Sequence, residues 1–337
     1  MVAFTPSFDD LRARTDLVLR GFLADRHTAL PEATLLIEEI ARLIDAGGKR
    51  IRPSFCYWGY RAAGGRDGEA PARAAASLEL LHTFAIVHDD IMDASDQRRG
   101  VPTVHAVHCE DVALLAGDLA LVLADELFFS SGFDAPVLLR GFAPYSSMRQ
   151  EVIAGQYLDH EASVAGVVTE QHARRVAVLK SGRYTIEQPL AIGGALAGAA
   201  GSFIAELRAF GAPLGEAFQL RDDLLGTFGE ASELGKPVDS DIREGKRNVL
   251  FAKAAGALSE DERDFFLTHW GGGEALSEAD VSRLRALVET SGARRATEDL
   301  LARLARAAMD SLAQVETDGE SRTALGELAR AATFRKA

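Results

Sequence analysis

Two pairs of adjacent aspartates are the residues of this chain best suited to chemistry. Asp89 and Asp90, with Asp93 behind them, close the apolar run of FAIVHDDIMDASDQRRG (84–100), and Asp222 and Asp223 close another in FQLRDDLLGTFGE (218–230). On a helix, residues three, four and seven apart share a face, so His82, Ala85, Asp89 and Asp93 line up. Two unpaired carboxylates about 5 Å apart repel by roughly 3 kcal/mol at an effective dielectric near 20, and the negative end of a helix dipole adds to the cost. One such pair reads as a solvated helix end. Two pairs, each with basic residues close by in sequence, read as a carboxylate cage for a divalent ion on facing helices of a bundle. Oxygen donors without His or Cys spacing favour a hard ion, and Mg2+ keeps waters and completes its shell with substrate phosphates. A diphosphate site is therefore expected.

Four short stretches supply cations. GGKRIRP (47–53) sets Lys49, Arg50 and Arg52 behind glycines that allow close backbone approach to a phosphate. QRRGVPT (97–103) puts Arg98 and Arg99 in a turn beyond the first acidic cluster, where guanidinium forks can grip diphosphate oxygens. KSGRYT (180–185) carries Lys180 and Ser181, and GKPVDSDIREGKRNVL (235–250) carries Lys236 and Lys246 with two more acids, Asp239 and Asp241. Each stretch alone is common; four of them beside two acidic pairs are not. His88 at an apolar helix end reads as a packed, hydrogen-bonded residue, and His105 and His108 lack the third ligand of a zinc site. Cys56 and Cys109 form no metal or redox spacing and read as reduced residues.

The elements that must hold these residues are helices. Apolar residues recur at three- and four-residue spacing, as in LRARTDLVLRGFLADR, and the chain is rich in Ala, Leu, Glu and Arg. Turn chemistry breaks the pattern at 62–71, 130–136 and 269–280, while Ser259–Glu262 and Ser277–Asp280 have the form of capping boxes. Alternating segments bounded by hairpin turns are hard to find, so an all-α bundle of roughly ten or more helices is expected, without a strong internal repeat. The 337 residues, 47% apolar, can bury a substantial core, and no linker divides them, so 1–337 reads as one domain. A net charge of −13 makes nucleic acid or an anionic membrane surface an unfavourable partner. With no basic-then-apolar leader and no run of about 18 apolar residues, a cytoplasmic protein without membrane insertion is expected.

Taken in order, GGKRIRP, LLHTFAIVHDDIMDASDQRRG, GQYLD (155–159), KSGRYT, FQLRDDLLG and GKPVDSDIREGKRN resemble the motifs of the trans-isoprenyl diphosphate synthases, or polyprenyl synthetases, and most of all those of bacterial geranylgeranyl diphosphate synthases. The resemblance covers about residues 45–255. It implies an all-α isoprenoid-synthase bundle around a deep central cavity, usually a homodimer, with three Mg2+ ions. Asp89, Asp90, Asp93, Asp222 and Asp223 then correspond to metal-binding aspartates, acting directly or through water. Arg98, Lys180, Ser181, Gln219, Lys236 and Lys246 match contacts to the allylic diphosphate. Lys49, Arg52, His82 and Arg99 match the isopentenyl diphosphate site, with Gly48 and Arg50 as neighbours. Asp89, Asp90, Asp93, Arg98, Lys180, Asp222 and Lys236 are the residues expected to carry catalysis. The implied chemistry is ionisation of the allylic diphosphate, condensation with isopentenyl diphosphate and loss of a proton, which needs no protein nucleophile.

The match departs from the family pattern at two positions, and a third feature bears on product length. The second acidic motif of the family is often DDxxD, but here the fifth position is Gly226, so either Asp222 and Asp223 suffice or Asp239 or Asp241 contributes. Ser181 stands where the family commonly has Thr. Ala85 and Phe84, four and five residues before Asp89, lie roughly 6–7.5 Å down the helix and are expected to limit chain length. One aromatic beside a small residue resembles producers of geranylgeranyl diphosphate; farnesyl or longer products are the alternative. Other readings are a terpene cyclase of the same fold, which has little need of a second diphosphate site, an HD-type phosphohydrolase, and a non-catalytic synthase partner subunit, the reading Gly226 most encourages.

Overall fold

The computed structural model describes residues 7–229 and 239–333, and nearly all of them are helical. In chain order the helices are α1 (Phe8–Ala29), α2 (Thr34–Asp45), α3 (Ile51–Ala62), α4 (Glu69–Met92), α5 (Val104–Val107), α6 (Glu110–Phe129), α7 (Ala135–Ala165), α8 (Glu170–Val176), α9 (Gln188–Leu196), α10 (Gly201–Phe228), α11 (Ser240–Glu244), α12 (Val249–Ala257), α13 (Glu260–His269), α14 (Glu278–Thr290), α15 (Ala293–Gln314) and α16 (Gly319–Thr333). Between α8 and α9 the helix widens into π-helical turns over Ala177–Glu187. The all-α expectation holds, with one addition: β1 (Gln97–Arg98) and β2 (Val101–Pro102) form an antiparallel hairpin. Both expected capping boxes are present, and a third, Ser7 with Asp10, opens α1. Among the described residues no helix is long and apolar enough to cross a membrane.

The chain forms two compact units. The first comprises residues up to Ser147, Gln188–Arg208 and Leu312–Leu328. In it α4 packs along α6, and α3 along α9. Ala74 and Ala76 of α4 and Ala113, Ala116, Ala120 and Ala124 of α6 are fully buried, so small side chains let the two backbones draw close. This matters because α4 carries the first acidic motif at its C-terminal end. Phe55, Tyr57, Trp58, Phe128 and Tyr145 are the large buried side chains around it.

The second unit comprises Met148–Glu187, Ala209–Ser311 and the residues from Ala329. Its core gathers Leu220 and Leu224 of α10 with Ile242, Val249, Leu250, Phe251, Phe266, Trp270 and Leu284. Phe251 and Phe266 stack and Trp270 packs tilted against both, with centroids 4.9–5.5 Å apart. The Trp270 indole N–H donates to the Lys246 carbonyl at 3.1 Å, so the aromatic core fixes the backbone of the Lys246 loop.

Candidate active site

In the first unit the hairpin decides where the two arginines go. Its register pairs Gln97 with Pro102 and Arg98 with Val101, leaving Arg99 and Gly100 as a two-residue loop. Their φ values of 54° and 76° are those of a type I′ turn, which needs both central residues left-handed. Gly100 takes this without strain; Arg99 does not. Consecutive residues of such a hairpin point apart, and these two meet opposite electrostatic surroundings. Arg98 turns to the acidic motif, hydrogen-bonding Asp90 through Nε at 2.8 Å and through Nη2, with Asp89 at 3.7 Å. Burial opposes the charge of Arg98, but Asp90, Asp89 and Asp93 outweigh it and hold the guanidinium above its ordinary pKa. Arg99 turns to the glycine loop and donates to the carbonyls of Gly47 and Leu43.

Around Arg99 the charges crowd in the other sense. Its pKa is lowered by burial and, against the help of Glu79, by Arg50, Arg52 and Arg98. His82, one face along α4, is pushed well below the usual imidazole range by burial and then by Arg52, Arg99, Arg98 and Arg50, so it is neutral near pH 7. Arg99 and His82, both depressed by burial and by the cations beside them, stand where an anion would relieve the crowding. Gly48 is part of this arrangement: its φ is 152°, and a Cβ there would lie 2.9 Å from Arg50 Nη1 and 3.2 Å from Arg99 Cζ. Lys49 is exposed beside it.

Arg50 differs from its neighbours. Its side chain is 1% exposed and is held by Asp16 (2.7 Å), Glu79 (3.0 Å) and the Ile44 carbonyl (2.7 Å). It is a buried strut for the loop and not a group that faces solvent. Sequence reasoning gave Glu79 and Asp16 no part; a Glu inside the apolar run SLELL of a buried helix was the available signal.

The acidic side chains of α4 divide by burial. Asp90 is 1% exposed and engaged by Arg98, whereas Asp89 and Asp93, four residues apart on one face, are half-buried. Phe84 is 8% exposed and meets His88 edge-on at 4.9 Å, and Ala85 beside it is half-buried. His88 is a packed residue as expected, with Nε2 3.1 Å from the Leu114 carbonyl. His105 and His108 are also taken up locally, by Thr103 at 3.2 Å and Glu39 at 3.3 Å. Cys56 and Cys109 are free thiols. Asp96 is exposed, and its carbonyl accepts the Thr103 N–H across the hairpin.

In the second unit Lys180 and Ser181 lie in the π-helical turns, both half-buried. The GQYLD motif accounts for where Lys180 sits. A Cβ on Gly155 would lie 2.6 Å from Lys180 Cα, so only glycine lets these backbones touch. One turn on, Asp159 accepts the Lys180 ammonium at 2.6 Å. Arg183 ties the same turns to α7 through Glu151 at 2.8 Å. On α10, Asp222 is exposed and Asp223 is buried, with Gln219 Nε2 donating to Asp223 at 2.7 Å. Burial raises the Asp223 pKa well above the usual carboxylate range, and the charge of Asp241 adds to it, with Asp222 contributing further; the Gln219 bond works the other way.

Two of the expected residues need separate mention. Lys236 lies outside the described residues. Lys246 is half-buried, 3.7 Å from Glu244. Asp239 caps α11 with φ 70° and is occupied by Arg243 at 3.1 Å and Arg285 at 3.7 Å. Asp241 instead directs its carboxylate over Gly226.

The donor set suits Mg2+. Its candidate ligands are carboxylate oxygens without His or Cys, which favour a hard divalent cation; among the described residues no three His, Cys, Asp or Glu are gathered into one ligating group. Mg2+ takes one or two carboxylates and keeps waters, and the burial that raises Asp223, with the charges of Asp241 and Asp222 added, is offset by a divalent cation beside it.

The comparisons with known proteins show the family. The polyprenyl synthetase family profile matches residues 33–288. The chain is 33% identical over 283 residues to the geranylgeranyl diphosphate synthase of Saccharolobus solfataricus, covering 83% of this chain and 82% of that one. It is 35% identical over 291 residues to the geranylfarnesyl diphosphate synthase of Aeropyrum pernix, covering 85% and 90%. The crystal structure of geranylgeranyl pyrophosphate synthase from Corynebacterium glutamicum, complexed with isoprenyl diphosphate and magnesium, superposes with a TM-score of 0.94 at 33% identity over 98% of this chain and 100% of that one. The chain belongs to the polyprenyl synthetase family, the trans-isoprenyl diphosphate synthases, and is a prenyl-transferring enzyme.

Proposed function

We propose that this enzyme condenses isopentenyl diphosphate with an allylic diphosphate in a Mg2+-dependent reaction whose product is geranylgeranyl diphosphate. The observation that carries the reading is the hairpin: adjacent arginines face one carboxylate-rich group and one cation-rich group. An enzyme that binds two diphosphates, one with metal and one without, needs both kinds of surroundings. A cyclase, with a single diphosphate, has no use for the second.

In this mechanism Asp89, Asp90, Asp93, Asp222 and Asp223 would hold the metal, three ions by family resemblance, and Mg2+ bound there would supply positive charge beside the departing diphosphate. Arg98, Lys180, Ser181, Gln219, Lys236 and Lys246 bind and orient the allylic diphosphate, adding fixed positive charge where negative charge develops. Gly48, Lys49, Arg52, His82 and Arg99 hold isopentenyl diphosphate. The allylic carbon–oxygen bond breaks with its electron pair going to diphosphate, the isopentenyl double bond forms the new carbon–carbon bond, and a proton leaves to the released diphosphate. Asp159 positions Lys180, and Arg50 keeps the glycine loop in place. Phe84, buried below the acidic motif beside the smaller Ala85, is the residue proposed to stop growth at twenty carbons.

The family match over residues 33–288 runs through both compact units, which supports treating 1–337 as one domain. A homodimer is part of the proposal. Leu115, Val122 and Phe129 recur every seven residues on α6 and are exposed, as are Leu139 and Phe142 on α7. The test is one product analysis: the enzyme with dimethylallyl, geranyl or farnesyl diphosphate plus isopentenyl diphosphate, with Mg2+ and with a chelator. Geranylgeranyl diphosphate formed only with the metal is expected. Cyclised products without elongation, or no condensation at all, would overturn the reading.

A further inference from the structure

The second acidic motif has Gly226 where a carboxylate four residues beyond Asp222 would share its helical face. The space above that glycine is filled. A Cβ built on Gly226 would lie 2.5 Å from the Asp241 Cγ and 2.6 Å from each Asp241 carboxylate oxygen. The Asp241 carboxylate therefore stands where a side chain at position 226 would begin, and a residue larger than glycine at 226 would require that carboxylate to shift. Its position is maintained from two sides. Asn248 Nδ2 donates to Asp241 Oδ2 at 3.1 Å, while Asn248 Oδ1 caps α12 by accepting the Phe251 N–H at 3.1 Å. The Asp241 carbonyl accepts the Lys246 N–H at 2.9 Å, closing the turn that follows α11. Asp239, the other acid of this stretch, is engaged by Arg243 and Arg285 and is not available for the same part.

We propose that Asp241 supplies to the second acidic motif the carboxylate that Gly226 lacks, and that Gly226 and Asp241 are alternatives at one place: a carboxylate reaches the metal–diphosphate group from α11 because none reaches it from α10. The proposal rests on the reading that Asp222 and Asp223 belong to a Mg2+–diphosphate site. It makes Asp241 a positioning and binding residue of that site, and Asn248 the residue that aims it.

The experiment measures Mg2+-dependent binding of inorganic pyrophosphate by isothermal titration calorimetry, in the full chain, with the Mg2+-free melting temperature as a check on folding. Asp241→Asn keeps the volume and should weaken the Mg2+-dependent binding by roughly 10–100-fold, the usual cost of losing a residue that supports metal ligands. Gly226→Asp should lower the melting temperature, since the new side chain meets Asp241. The exchange Gly226→Asp with Asp241→Ala should restore binding to within about threefold of the parent, because the carboxylate returns by the other route. Asp222→Ala is the control for the underlying reading. If Asp222→Ala loses the binding and Asp241→Asn retains it, the role of Asp241 is refuted while the site stands. If neither variant loses it, the site itself is refuted and the proposal with it. An exchange variant that folds like the parent but binds no better than Asp241→Asn would also overturn the equivalence of the two positions.

Discussion

Replacing Arg50 by methionine separates a structural guanidinium from a phosphate-binding one. Arg50 sits among basic residues that resemble isopentenyl diphosphate contacts, yet its charge is spent inward, on Glu79, Asp16 and the Ile44 carbonyl. Methionine has similar length and no charge. Glu79, 3% exposed, would then be a buried charge without its cation, a situation that costs about 3–5 kcal/mol. The Ile44 carbonyl would lose a donor, about 1 kcal/mol more. Asp16, 24% exposed, regains water and adds little. A loss of about 4–6 kcal/mol is large beside a typical total of about 5–15 kcal/mol, and at about 2 °C per kcal/mol it lowers the melting temperature by about 10 °C. Calorimetry gives that number, and steady-state kinetics on the folded enzyme gives the KM for isopentenyl diphosphate, which should rise only together with the loss of stability, as the glycine loop loses its strut. Arg50→Met with Glu79→Leu should recover most of the loss, since a buried ion pair replaced by apolar residues is often neutral. A variant that melts within about 2 °C of the parent while its KM rises tenfold or more would refute the argument and make Arg50 a substrate ligand.

Phe84→Ala should yield products longer than those of the parent by chromatography, at a stability cost of about 3–5 kcal/mol; products no longer than the parent's remove Phe84 as the limit on chain length. Asp159→Asn should leave the melting temperature nearly unchanged while lowering kcat/KM for the allylic substrate by about 10–100-fold, because Lys180 loses the carboxylate that aims it; unchanged kinetics would show that Lys180 needs no such partner. His82 is neutral in the native state and titrates near its ordinary value when unfolded, so below about pH 6.5 the unfolded chain binds the extra proton and native stability falls, by up to about 1.4 kcal/mol per pH unit. His82→Gln should flatten that part of the stability profile, and a profile with the same slope in both proteins would assign the effect elsewhere.

The fold was legible because its signals are local. Helical periodicity and two capping boxes each act within a few residues, and the chain realises both. The hairpin escaped because strands of two residues are too short to show an alternating pattern. The site was legible as a set of motifs, but not as a set of contacts. Lys49, Arg50 and Arg52 look alike in sequence; what turns Arg50 inward is a left-handed backbone at φ 48° and carboxylates on two other helices, 34 and 29 residues away. No spacing rule reaches that far. GQYLD was readable as a motif, while its work, a glycine at a backbone crossing and an aspartate on Lys180, needed the fold.

Helix geometry explains why the aspartate pairs do not act as pairs. Adjacent residues on a helix point about 100° apart, so the two members approach an ion from different sides and play different parts. In each motif the second aspartate is buried and tied to a side chain, Asp90 to Arg98 and Asp223 to Gln219. The first is more exposed, and its natural companion lies four residues on, about 40° away on the same face. For Asp89 that companion is Asp93. For Asp222 it is Gly226, and there the Asp241 carboxylate stands over the bare backbone. The part of the second motif that looked deficient in sequence is thus the part where the chain spends a second segment, α11 with its Asn248 support, to bring a carboxylate to the face that needs one.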